Sequence, residues 1–171
     1  DVKRRLAEGH ETPEERALAF QACAEFCDKK VRQPDLSISL WESALSELES
    51  AATLLALATL YEQTKAWPKL DQIIDQIIVH PEVTDKDKTS ILMKAAQVAQ
   101  DHLDDHERSL ALWHALLEIN PQNKRASDSL KKSLIGAQDW DQLTEFLTEQ
   151  DALSELVKTL ESQANSQQDN A

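Results

Sequence analysis

With 171 residues, the chain is long enough for one domain with a sizeable buried core. Two glycines and five prolines among 29% charged residues predict a helix-rich chain, and 5% aromatics without long β-branched alternation argue against a sheet protein. The net charge of −13 falls as −4 over residues 1–50, −1 over 51–100 and −8 over 101–171, a surface that repels phosphate backbones and anionic lipid heads. It argues against nucleic acid and membrane insertion, and favours a basic protein or peptide as partner beside plain solubility.

No stretch approaches the roughly 18 apolar residues of a membrane span, and no signal peptide is visible. Beginning at Asp1 rather than Met, the chain reads as a fragment or a processed product.

In chain order, residues 1–12 form a charged N-terminal segment, with Val2 and Leu6 at helical spacing as the end of a preceding helix. Thr12-Pro13-Glu14-Glu15 reads as a helix start, with a threonine N-cap, proline in the first turn and acids at the positive dipole end. The first helix presents Phe20, Cys23, Ala24, Cys27 and Val31 on one face, until Arg32-Gln33-Pro34-Asp35 interrupts it. A second carries Leu36, Leu40, Trp41, Ala44, Leu45 and Leu48. Ser50 caps a third, with Leu54, Leu57, Ala58 and Tyr61, and Lys65-Ala66 turns into a fourth, with Trp67, Leu70, Ile73, Ile74, Ile77 and Ile78.

After His80-Pro81-Glu82, a fifth helix begins near Thr84 or Asp85 and shows Leu92, Ala95, Ala96, Ala99 and Leu103. Asp104-Asp105 caps a sixth, with Leu110, Trp113, Leu116, Leu117 and Ile119. The seventh shows Ala126, Leu130 and Leu134 and is expected to stop at Gly136 as its C-cap, and the eighth has Trp140, Leu143, Phe146 and Leu147. A last helix from about Ala152 carries Leu153, Leu156, Val157 and Leu160 as a cap, and residues 162–171 have nothing to bury and are expected to be disordered. Connections of two to five residues make successive helices antiparallel neighbours.

The chain repeats itself. Ser39-Leu40-Trp41 and the two apolar residues Ala44 and Leu45 return as Ala111-Leu112-Trp113 with Leu116 and Leu117, and Trp41 and Trp113 are 72 residues apart. The other tryptophans, Trp67 and Trp140, are 73 apart, so the four form two pairs with nearly one offset. Phe20-x2-Cys23-Ala24-x2-Cys27, Leu54-x2-Leu57-Ala58-x2-Tyr61 and Leu92-x2-Ala95-Ala96-x2-Ala99 also align, with a small residue where a partner helix must approach closely.

This pattern resembles the tetratricopeptide repeat, whose first helix reads W-x2-L-G-x2-Y and whose second reads A-x3-F before a proline. Leu116-Leu117-x-Ile119-Asn120-Pro121 is similar to the end of such a unit. Units start near Ala17, Ala51, Thr89 and Lys124, at steps of 34, 38 and 35 residues, so the resemblance covers residues 13 to about 160 as a degenerate array built from a duplicated pair. Lys131 occupies the small-residue slot of the last unit, a departure that loosens that helix pair. The resemblance implies an all-α fold, a right-handed α-solenoid of antiparallel helix pairs with about four repeats. The domain is residues 13–161, and the last helix is its cap.

Signals for chemistry are weak. Cys23 and Cys27 sit in slots filled elsewhere by Leu57, Tyr61, Ala95 and Ala99, so they read as core rather than as half a metal or redox site. A pair that no helix would join as a disulfide points to a reducing, cytoplasmic setting. His102, Asp104, Asp105, His106 and Glu107 have the composition of a metal site, but Asp104-Asp105 reads as a turn, so His102 and His106 need not share a face. With Gly9 and Gly136 the only glycines, no phosphate loop exists, and neither G-x-S-x-G nor H-E-x-x-H occurs. No catalytic residue, cofactor or metal is expected. The tryptophans read as wedges between helices rather than as a stacking platform for a ligand.

The resemblance implies a concave groove walled by the outward residues of each first helix: Gln21, Glu25 and Asp28, then Thr59, Glu62 and Gln63, then Met93, Gln97, Gln100 and Asp101, then Asp128 and Lys132. The basic clamp with which some family members grip a terminal carboxylate is not assembled. The expected function is a protein-interaction scaffold that holds a partner peptide or helix in this groove. The alternatives are a structural spacer or assembly segment of a larger multi-repeat protein, with self-association, and a metal-dependent enzyme using His102 and His106.

Overall fold

A computed structural model of the chain describes residues 5, 9–149, 154 and 157–160. The expected N-terminal helix end at Val2 and Leu6, Leu153 and Leu156 of the last helix, and the tail lie outside the described residues. The chain forms two compact units, Asp1–Pro121 and Gln122–Ala171.

The first unit holds three helix pairs: α1 (Pro13–Phe26) with α2 (Pro34–Glu47), α3 (Ala51–Gln63) with α4 (Trp67–Val79), and α5 (Asp85–Asp101) with α6 (His106–Ile119). The second holds one, α7 (Lys124–Ala137) with α8 (Trp140–Glu149). The protein is all-α, and its helices pack as consecutive antiparallel pairs. In the first unit α2 also lies against α3, and α4 against α5, so each pair covers a face of the next.

Local sequence explains most boundaries. Thr12 caps α1 in a reciprocal box: its hydroxyl accepts from the Glu15 amide at 3.2 Å, and the Glu15 carboxylate accepts from the Thr12 amide at 3.3 Å. Thr84 does the same service for α5 through the Asp87 amide at 3.2 Å, 72 residues later. Ser50, Asp105 and Asn123 cap α3, α6 and α7. Pro34 and Pro68 stand in the first turns of α2 and α4, where their missing amide hydrogens cost nothing.

The duplication extends to hydrogen bonds. Buried Ser37 on α2 donates its hydroxyl to the Ala24 carbonyl of α1 at 2.9 Å, and buried Ser109 on α6 donates to the Ala96 carbonyl of α5 at 2.9 Å. Ala24 and Ala96 are fully buried, so the small side chain admits the partner helix and the serine then bridges the two backbones. Trp41 and Trp113 lie one turn further along, 6% and 1% exposed.

Turns repeat as well. Non-glycine residues adopt the left-handed region at Arg32, Lys65, Asp104 and Gln138, one in the loop inside each pair. Arg32 and Asp104 are 72 apart, and each is followed by an amide that reaches six residues back, Gln33 to the Cys27 carbonyl and Asp105 to the Ala99 carbonyl. Lys65 and Gln138 are 73 apart, and the next amides reach five back, Ala66 to Tyr61 and Asp139 to Leu134. Two turn geometries alternate, as expected of a duplicated pair.

Some sequence expectations change. A π-helical turn, Cys27–Val31, ends the first helix; its wider winding carries Val31 off the buried stripe, leaving it 44% exposed. Leu48 lies beyond α2 and is 42% exposed. Gly136 is not the cap: α7 continues to Ala137, and Gln138 takes the left-handed position at φ 57°. The turn is set by the pair geometry shared with Lys65, not by where a glycine happens to stand. Leu160, expected to bury itself as part of a cap, is 43% exposed.

A Cβ at Gly136 meets nothing within 4 Å, so Gly136→Ala is expected to stabilise the protein by about 0.5–1 kcal/mol. Gln138→Gly relieves the left-handed residue and is expected to add a similar amount, about 0.5–1 kcal/mol. Urea denaturation checks both; a loss of stability in Gly136→Ala would restore Gly136 as the cap. Ser37→Ala and Ser109→Ala, tested the same way, should each cost about 1 kcal/mol.

Candidate partner-binding groove

In the first unit, α3 and α5 flank a pocket of about 210 Å³. Leu55 and Ala58 of α3, Leu70 of α4 and Ile91 of α5 supply apolar surface, and Thr59, Glu62, Asp87, Ser90 and Lys94 supply the polar lining. Lys94 Nζ donates to Glu62 Oε2 at 2.7 Å across the two helices. Asp87 is held by its capping contact, accepting from the Thr84 hydroxyl at 2.7 Å. Stem and helix rigidity therefore come from the scaffold, and the pocket offers an apolar slot beside hydrogen-bonding groups of both signs.

Of the residues expected on the wall, Thr59 and Glu62 line this pocket. Gln21 is taken up in the scaffold, donating from α1 to Thr53 Oγ1 at 2.9 Å and Ser50 Oγ at 3.4 Å on α3. Glu25 pairs with Lys29 at 2.8 Å, and exposed Asp28 falls in the π turn. Gln63, Gln97 and Asp101 are exposed, Met93 and Gln100 half-buried, and none of them lines the pocket. Asp128 and Lys132 belong to the second unit, where Asp128 pairs with Lys131 at 3.3 Å and Lys132 is exposed.

Leu55, Asp87, Ser90, Ile91 and Lys94 are lining residues that the repeat register alone did not select. A signal for two of them exists in the sequence. Leu55 and Ile91 are aliphatic residues standing beside, not on, the core stripes of their helices.

With Glu25 and Glu62 both in ion pairs, the wall is less acidic than a count of its carboxylates suggests.

The other candidate centres are structural. Cys23 and Cys27 are free thiols, half-buried and buried; burial, then the nearness of Cys23, pushes the Cys27 thiol up, which makes it a poor nucleophile at neutral pH. His102 caps the end of α5 and stacks on Trp67, with ring centroids 4.8 Å apart and planes 7° from parallel. His106 opens α6. Among the described residues, no group of three or more His, Cys, Asp or Glu side chains is placed to hold a metal ion. None of the helices searched there is long and apolar enough to cross a membrane.

The arrangement of helix pairs is similar to that in two crystal structures of MamA. In the first, the TM-score is 0.54 at 14% identity, covering 95% of this chain and 87% of that one. In the second, the same score and identity cover 87% of this chain and 75% of that one. The fold is tetratricopeptide-like. At this identity the likeness speaks for the fold alone. No protein-family model and no curated protein matches the sequence.

The Lys94–Glu62 pair is half-exposed on both sides, so it tunes the pocket more than it holds the fold. Lys94→Ala is expected to change stability by less than about 0.5 kcal/mol at physiological salt, measured by urea denaturation.

Proposed function

We propose that the protein is an interaction module that holds an extended segment or a helix of a protein partner along the wall formed by α3 and α5. One aliphatic side chain of the partner enters the slot lined by Leu55, Leu70 and Ile91, and a neighbouring Lys or Arg of the partner meets Glu62 and Asp87. The observation that carries this reading is the pocket itself: apolar surface rimmed by polar groups, between the first helices of two successive pairs. A tetratricopeptide-like fold agrees with protein partners in general. The chain's acidity agrees with a basic partner segment. No catalytic step forms part of this proposal, and the stacked His102 is assigned to the α4–α5 joint rather than to metal chemistry.

Peptide display against the immobilised protein is expected to select sequences with Leu, Ile or Met next to Lys or Arg. In titrations of a selected peptide, Ser90→Trp, which fills the slot, should weaken binding about tenfold or more, about 1.4 kcal/mol. The pair Glu25→Lys with Glu62→Lys should weaken basic peptides selectively. Binding that survives both changes places the partner surface elsewhere.

A further inference from the structure

Helix α1 carries an apolar stripe on the side turned away from its own pair. Its buried side, with Ala17, Phe20 and Ala24, packs on α2. On the opposite side, at four-residue spacing, stand Leu18, Ala22 and Phe26. Leu18 is 64% and Phe26 59% exposed, and Ala22 between them is exposed as well. Large apolar residues that line up on one exposed helix face mark a contact surface, where single scattered ones would not.

Exposed charges are ordered along this stripe. Glu11, Glu14 and Glu15 stand at its N-terminal end, and Lys29, Lys30 and Arg32, with Asp28, at its C-terminal end. Lys29 reaches Glu25, the neighbour of Phe26, at 2.8 Å, so the π turn leaves it on this side of the helix. Glu15 also caps the helix start, but its contacts to the Glu11 and Thr12 amides use one carboxylate oxygen, Oε2.

The pattern is complementary to its own reverse. Counted from Ala22, Leu18 and Phe26 lie four residues to either side, Glu15 and Lys29 seven, and Glu14 and Lys30 eight. Two copies of α1 laid antiparallel with Ala22 at the crossing set each Leu18 against the other copy's Phe26 and each acidic end against a basic end. Laid parallel, they would bring like charges together. Antiparallel pairing also sets the two helix dipoles in opposition, which is the favourable sense. Ala22, the smallest residue of the stripe, stands where the two backbones come closest.

We infer that the protein pairs with a second copy of itself through α1, in an antiparallel two-fold contact centred on Ala22. Such a contact is isologous, so it closes at two copies. One helix face per copy is a small interface, and the dimer therefore forms as concentration rises. Helix α1 lies wholly in the first unit, and the contact asks nothing of the second. It uses a different surface from the groove between α3 and α5 and does not rest on the function proposed for that groove.

Light scattering after size-exclusion chromatography, run on the full chain over a concentration series, tests it. The wild type should rise from the monomer mass toward twice that mass and stop there. Leu18→Glu and Phe26→Lys, both at exposed positions, should each keep the helical circular-dichroism signal and stay monomeric. The deciding sample is their equimolar mixture. Across the two-fold axis the introduced carboxylate faces the introduced amine, while the native Phe26 of one variant meets the native Leu18 of the other, so a dimer should return. Parallel helices would bring neither pair together. A wild type that stays monomeric up to its solubility limit overturns the inference and leaves the α1 face to another partner. Association that persists in Leu18→Glu overturns it by placing the contact elsewhere, as does growth beyond twice the monomer mass. A mixture that remains monomeric overturns the antiparallel register and the inference with it.

Discussion

The rest of the structure depends on the crossing of the two helices within a pair, most plainly in α1–α2 and α5–α6. At Ala24 and Ala96 the absence of a large side chain lets the second helix approach until a serine hydroxyl reaches the backbone carbonyl at 2.9 Å. A buried hydroxyl without a partner would cost about 1–3 kcal/mol, so each serine is tolerated only because the helices come that close. The crossing then fixes where Trp41 and Trp113 sit. Trp113 is 1% exposed, so the aromatic there serves packing between the helices.

In the first unit the pairs are joined by a second class of contact that is more polar and differs between its two joints. Between the first and second pairs, Glu42 accepts from the Tyr61 hydroxyl at 2.9 Å and from Lys69 at 2.8 Å, and burial and that carboxylate push the tyrosine well above its ordinary range. Between the second and third, Arg108 binds Asp71 at 2.8 Å and Asp75 at 3.0 Å; burial opposes its charge, but the two carboxylates outweigh it and raise its affinity for the proton. Such joints select which pair follows which, while the apolar faces supply most of the adhesion. A repeat needs a neighbour on both sides, and the exposed Leu18, Phe26, Val157 and Leu160 stand where the described residues supply none.

Much of this is legible in the sequence. The helix starts at Thr12, Ser50, Thr84 and Asp105 follow from local hydrogen-bond chemistry, and the structure has each residue as a cap. The stripes through Leu54, Leu57, Ala58 and Tyr61 and through Leu92, Ala95, Ala96 and Ala99 are buried as periodicity requires. Gly136 misled because glycine prefers the left-handed region, yet the preference of one residue is worth little against the geometry of a packed pair, which puts Gln138 there. The site was legible in part: Thr59 and Glu62 come from the register, whereas Ile91 and Lys94 depend on how α5 is turned toward α3.

The sequence by itself determined the helices, their pairing and their duplication, because caps, periodicity and small-residue slots act over a few residues. Which side chains meet across pairs was decided only by the tertiary structure. Glu62 and Lys94, Gln21 and Thr53, and Arg108 and Asp71 are each about thirty or more residues apart. Their partners depend on the crossing angle and rotation of whole helices, which no local pattern encodes. For the same reason, the exposure of α1 was invisible in the sequence: Leu18 and Phe26 look like any apolar helix positions, yet they are 64% and 59% exposed.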